Sequence, residues 1–124
     1  MFSDRLIDKI KEFDNPTVAG LDPRLEYIPE HLKEAAFKDH GTGFKGAAAA
    51  ILSFNMGIID ALSDIVPAVK PQLAYYEMYG LEGLKAFNET VRYAGTKGML
   101  VIADGKRNDI GSTAEAYSAA YLGR

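Results

Sequence analysis

Three short apolar runs, each closing on charge or proline, set the architecture of this chain: TVAGL (17–21), VPAVKP (66–71) and MLVIAD (99–104). They are nearly unbroken in apolar character, as strands buried on both faces are. Helical patterns fill the sequence between them. FSDRLIDKIKEF places Phe2, Leu6, Ile7, Ile10 and Phe13 on one helical face, with Ser3 as its N-cap and Asn15-Pro16 as its stop. PEHLKEAAF reads as a helix opened by Pro29, KDHGTG as a loop, and FKGAAAAILSFNMGIIDALSDI as a long apolar helix. AYYEMYG and LEGLKAFNETVRYAGTKG follow as a short and a longer helix, each ending at glycine. STAEAYSAAYLG opens the last helix, and Ser112 and Glu115 have capping-box spacing. Strands alternating with helices predict parallel β/α units.

Composition narrows the function classes. With a net charge of −3 there is no basic excess of the kind that marks nucleic-acid binding. The absence of cysteine excludes disulfides and thiolate metal sites. Acids and bases run through MFSDRLIDKIKEF, so it reads as neither a secretory signal nor a transit peptide. The longest apolar run reads as well short of the roughly 18 residues that span a membrane. The expectation is a cytoplasmic protein that binds neither membrane nor nucleic acid.

The three strands end alike. The first delivers Asp22, the second Lys70, and the third Asp104 and Lys106. Ligands of parallel α/β folds sit at the C-terminal ends of strands, so these charges predict a site. Asp104 and Lys106 are two apart and share a face if the strand persists to that point. Asp109 lies three further on, placed to approach Lys106 or to reach outward. Each has a plainer reading: Asp22 as a turn or cap before Pro23, Lys70 as a solvated strand end, and DGKRND as a hydrophilic loop.

Other features carry less. GTGFKG lacks the spacing of a phosphate-binding loop and reads as a connector. His31 and His40 read as surface residues, the tyrosines of YYEMYG as packing beneath the rim, and Ile58, Ile59, Leu62 and Ile65 as core.

A lysine flanked by carboxylates is held protonated. It is then a poor Schiff-base former, which needs the neutral amine, and a good general acid toward a developing carbanion. A fixed carboxylate beside a substrate carboxylate is repelled in the ground state, and loss of carbon dioxide relieves that repulsion. The nearby ammonium stabilises the charge that develops.

ADGKRNDIGSTAEAY resembles the D-x-K-x-x-D-I signature of the orotidine 5′-phosphate decarboxylase family, in its bacterial subgroup with a longer N-terminal region. GLDPR, FNMGIIDAL and VPAVKPQLAYYEMYG extend the likeness over essentially the whole chain. Asn108, where the family usually has a small residue, and Gly105 depart from the pattern without touching the charged set. The resemblance implies a (β/α)8 TIM barrel of which residues 1–124 hold the first three β/α units, in one N-terminal part of a single domain. It implies decarboxylation of orotidine 5′-phosphate to uridine 5′-phosphate, without metal or organic cofactor. Lys106 would be the proton donor, Asp104 would face the departing carboxylate, and Lys70 would hold Asp104 and contact the ribose. Asp109 would complete the catalytic charged chain, coming from the other subunit of a homodimer to reach a ribose hydroxyl, with Ile110 and Thr113 accompanying it. Asp22 would bind a ribose hydroxyl.

A complete barrel of this type takes roughly 200–250 residues or more. The expectation is therefore a piece of a longer enzyme, with the phosphate-gripping loops on later strands. Alone it would be inactive and poorly folded, with an open edge at its third strand. Two other readings stand beside this one. The first is a magnesium-dependent sugar-phosphate decarboxylase or aldolase of the same barrel group. The second is a non-catalytic half-barrel that acts as an assembly partner.

Overall fold

In the computed structural model of the chain, which describes residues 1–122, three parallel strands lie side by side in sequence order. They are β1 (Val18–Leu21), β2 (Ala68–Pro71) and β3 (Leu100–Val101). The register pairs Gly20 with Lys70, Leu21 with Pro71, and Val69 with Val101. A single bridge, Gln72 to Asp104, continues the pairing past the end of β3. Among the described residues the α-helices are α1 (Phe2–Phe13), α2 (Glu30–His40), α3 (Phe44–Leu62), α4 (Ala74–Glu77), α5 (Gly80–Thr96) and α6 (Gly111–Tyr121), with a single 3-10 turn at Leu25–Tyr27. The sequence-predicted alternation of helix and parallel strand is thus present. Gly123, which closes the predicted last helix, and Arg124 lie outside the described residues.

Several boundaries differ from the sequence reading, each for a local reason. The helix α1 begins at Phe2 with Met1 as N-cap, and the terminal ammonium bonds Asp4 Oδ2 at 2.9 Å, so Ser3 lies inside the helix. The helix α2 runs three residues past Phe37 into the predicted loop. Nothing there breaks it before Gly41, whose φ of 81° suits glycine. The helix α3 stops at Leu62, so the helical phase no longer carries Ile65 inward: Ile59 is fully buried and Ile65 is 49% exposed. The helix α6 starts at Gly111 with Ile110 as its N-cap, and Ser112 makes no capping bond. Its hydroxyl instead meets the Tyr75 hydroxyl at 3.0 Å.

The apolar stretch of α3 was also underestimated. By length and composition it is sufficient to cross a membrane. Here it is the core helix, packed against α2 and α5 with Gly46, Ala47, Ala50, Ile51 and Ile59 buried. His31 and His40 are exposed, while Tyr75 and Tyr76 are buried, as the sequence suggested.

Two apolar groups make the interior. One joins α3 and α4 to α6 through Ile51, Ala74, Tyr76, Ala116 and Tyr117. The other lies beneath the sheet, with Leu21, Ile59, Val66, Val69 and Met99. Tyr76 is fully buried, stacks edge-on with Phe87 at 5.2 Å and donates its hydroxyl to the Leu21 carbonyl at 3.3 Å. Asn55 donates to both the Tyr76 and Thr90 hydroxyls, at 2.8 and 3.1 Å. Burial drives the Tyr76 phenol far above its ordinary value, so it stays a neutral donor. This network fixes the end of β1 one residue before Asp22.

Between α4 and α5 the chain turns so tightly that a Cβ on Gly83 would lie 1.8 Å from the Tyr76 carbonyl oxygen. Gly83→Ala is therefore expected to lower unfolding free energy by about 1–3 kcal/mol in urea denaturation. An unchanged midpoint would show that the contact relaxes freely.

Candidate active site

Backbone pairing delivers the central carboxylate. The Asp104 amide donates to the Pro71 carbonyl at 3.1 Å, and its own carbonyl accepts from the Leu73 amide at 2.8 Å. Asp104 is thus clamped to the chain continuing from β2 although β3 proper ends at Val101. Lys70 and Gln72, two apart on β2 and its extension, reach the same carboxylate.

Asp104 accepts from three side chains. Lys106 Nζ contacts Oδ1 at 2.9 Å and Oδ2 at 3.1 Å. Oδ2 also receives Lys70 Nζ at 3.2 Å and Gln72 Nε2 at 3.1 Å. On its other side Lys106 lies 3.6 Å from Asp109 Oδ2. The result is a continuous row, Lys70–Asp104–Lys106–Asp109, of alternating charge. Asp109 Oδ1 accepts the Ile110 amide at 2.9 Å, which fixes the entry to α6.

The row sets its own protonation. The Lys106 hydrogen bond, aided by Lys70, holds the Asp104 carboxyl below its ordinary value of 3.8 against a partial desolvation that acts the other way. Lys106 is raised above 10.5, chiefly by Asp104 and further by Asp109. Asp22 sits at the same rim and is shifted upward, first by desolvation and then by the like charges of Asp104 and Asp109, with Lys70 opposing. The structure therefore brings Lys70, Asp104, Lys106 and Asp109 into direct contact and places Asp22 within their field. Thr113 is half-buried, 3.3 Å from the Tyr75 hydroxyl, and Ile110 projects into solvent at 86% exposure.

The sequence reading did not single out the residues that support this row. Gln72 is one; its spacing of two from Lys70 was the available signal. Another is the pair that buried Glu77 makes with the exposed Arg107. Arg107 adopts a left-handed backbone (φ 65°), donates Nη1 to the Gly105 carbonyl at 2.8 Å and donates Nη2 to Glu77 Oε1 at 2.7 Å. Tyr121 donates to Glu77 Oε2 at 2.5 Å. This clamp turns the loop so that Lys106 folds back over Asp104. Gly105 belongs to the turn: a Cβ there would stand 3.1 Å from both Arg107 Nη1 and Leu73 Cδ2.

Residues 47–123 match the model of the orotidine 5′-phosphate decarboxylase / HUMPS family. The chain belongs to that family. It is 43% identical over 122 residues to an orotidine 5′-phosphate decarboxylase of Rhodopirellula baltica, and 38% identical to one of Caldicellulosiruptor saccharolyticus. Each alignment covers 98% of this chain and about two-fifths of the relative, 39% and 40%. A crystal structure of a Streptomyces avermitilis protein assigned as an orotidine 5′-phosphate decarboxylase superposes with a TM-score of 0.64. The identity is 32%, over 98% of this chain and 38% of that one. The family fold is a TIM barrel, and this chain supplies three of its parallel β/α units.

The charged row makes stability depend on pH in a defined way. Asp104 has a folded-state pKa below 3.8, so its contribution is full above that value and is lost as pH falls through the folded pKa. Lys106 is raised, so its contribution is full below 10.5 and is lost as pH rises through the folded pKa. In denaturant titrations the stability gap between wild type and Asp104→Asn is expected to be widest between these limits and to narrow on both sides. A pH-independent gap would contradict the ionic account.

Proposed function

We propose that the chain is the N-terminal, lysine-bearing portion of an orotidine 5′-phosphate decarboxylase that forms uridine 5′-phosphate in pyrimidine biosynthesis in the cytoplasm. The observation that carries this reading is the row Lys70–Asp104–Lys106–Asp109 at the C-terminal rim of a parallel sheet. The names of the relatives point to the same substrate.

In this reading the substrate carboxylate sits against Asp104. The protein holds Asp104 ionised and fixed, so repulsion is built into the bound state and is relieved as the carbon–carbon bond breaks. The electron pair left on the ring carbon faces the Lys106 ammonium, which stabilises it and then donates a proton to it. Lys106 must begin protonated, and its two carboxylate neighbours favour that. Carbon dioxide leaves, one proton is taken up, and no electron acceptor is needed. Lys70 holds Asp104 and meets the ribose, which Asp22 also contacts.

In a homodimer Asp109, with Ile110 and Thr113, serves a neighbouring copy, and the Asp109 of that copy takes the place beside Lys106 that the chain's own Asp109 fills here. Its loop lines an open cavity of about 590 Å³ with Tyr117, Ser118, Tyr121 and Leu122, a surface suited to a partner. The later strands of the barrel, as found in the longer relatives, supply the grip on the phosphate.

The test completes the chain with the later strands of the Rhodopirellula baltica relative and follows carbon dioxide release from orotidine 5′-phosphate. Decarboxylation that persists in chelator is expected. Lys106→Ala should lower kcat by about 100- to 10,000-fold while nucleotide affinity changes little. A well-folded completed barrel that releases no carbon dioxide, or a Lys106→Ala variant at near-normal rate, would sink the assignment.

A further inference from the structure

We propose that Gln72, oriented by Tyr117, is a positioning residue that sets the rotation of the Asp104 carboxylate. This rests on the decarboxylase reading for its role in turnover and on geometry alone for the contact. Gln72 is buried, at 3% exposure, and both ends of its amide are used. An ionised carboxylate only accepts, so the group facing Asp104 Oδ2 at 3.1 Å is Nε2. The other end, Oε1, accepts from the hydroxyl of buried Tyr117 at 3.1 Å. The Tyr117 bond therefore fixes which way round the amide sits. The backbone holds it too: the Gln72 amide donates to the Leu21 carbonyl at 3.3 Å, across to β1.

A neutral donor does something here that a third cation would not. Lys70 and Lys106 both carry flexible stems and exposed ammonium groups, with side chains 37% and 55% exposed. Each can follow the carboxylate if it turns. Gln72 is enclosed and cannot. Its contact to Oδ2 gives that oxygen three donors, leaving Oδ1 with Lys106 alone. Oδ1 thus keeps an unfilled acceptor position, which in the decarboxylase reading is turned toward the substrate carboxylate. The other charged groups that face Asp104 are Lys70 from β2, Asp22 beyond β1, and Lys106 and Asp109 from the loop. None of them is anchored as Gln72 is. The reaching arm is on the strand and the arm that orients it is on α6, so the contact also ties the last helix to the reacting centre.

The test uses Gln72→Leu and Tyr117→Phe in the chain completed with the later strands, and it reads two quantities. One is the titration midpoint of the Asp104 carboxyl by carbon-13 NMR, which does not depend on any activity. The other is the split between kcat and KM for orotidine 5′-phosphate. Gln72→Leu is expected to raise the Asp104 midpoint, because a donor to the charged form is gone. It should lower kcat about 10- to 100-fold with KM changed much less, as for a misplaced reacting group. Tyr117→Phe, which keeps the ring in place, should move both readouts in the same direction by less, and it carries the test if Gln72→Leu does not fold. An unmoved Asp104 midpoint with unchanged kcat, or a loss of thermal stability alone, overturns the proposal. If the wild-type protein does not decarboxylate the nucleotide but the midpoint still shifts, the positioning stands and the functional reading falls.

Discussion

The carboxylate of Asp104 accepts from Lys106, Lys70 and Gln72, and the site depends on that single junction. Remove it and two ammonium groups face each other across the rim with nothing between them. Keep it and one carboxylate stands between them, accepting from each. The exposed pairs elsewhere, such as Lys85–Glu82 on α5, are of the kind that contributes about 0–1 kcal/mol. The junction at Asp104 differs because its carboxylate is mostly enclosed and clamped through its own backbone. Its significance is chemical first: it determines which protonation states the rim offers.

That junction is possible because parallel strands all deliver their C-terminal ends to one side. Asp22, Lys70 and Asp104 come from three different strands, yet the in-register ladder puts them on one rim. Helices α3 and α5 cover the sheet through Ile59 and Ala94, and the buried Asn55–Tyr76–Thr90 network locks the end of β1. The loop after Asp104 then turns back through Arg107 in a left-handed conformation, held by buried Glu77. Packing and polar anchors thus hold still a set of charges that would otherwise be solvated and mobile.

Much of this was legible in the sequence. Apolar runs, two of them bounded by proline, gave the strands, and helical periodicity gave the intervening helices. Charges at all three strand ends pointed to the cluster in which Lys70, Asp104, Lys106 and Asp109 meet. What was not legible depends on contacts between distant segments. Gln72 carries no mark in the sequence beyond its spacing of two from Lys70, and the bridge to Asp104 places it at the site. Glu77 is a single acid in a short helical stretch, and its partners lie 30 and 44 positions away. Ser112 had capping spacing but bonded Tyr75, because the helix began two residues earlier, with Ile110 as its N-cap. The segment that forms α3 reads as a long apolar helix, but its glycines and polar residues break every continuous aliphatic run, which hides that its length and composition suffice to cross a membrane.

The central claim is that the carboxylates keep Lys106 protonated and in place. The most direct measurement is the titration of its side-chain ammonium by nitrogen-15 NMR, in the wild type and in Asp104→Asn. The account predicts a wild-type midpoint above the ordinary 10.5 and a clear fall toward that value when Asp104 loses its charge. A Lys106 midpoint at or below 10.5 in the wild type, unmoved by the substitution, would contradict it.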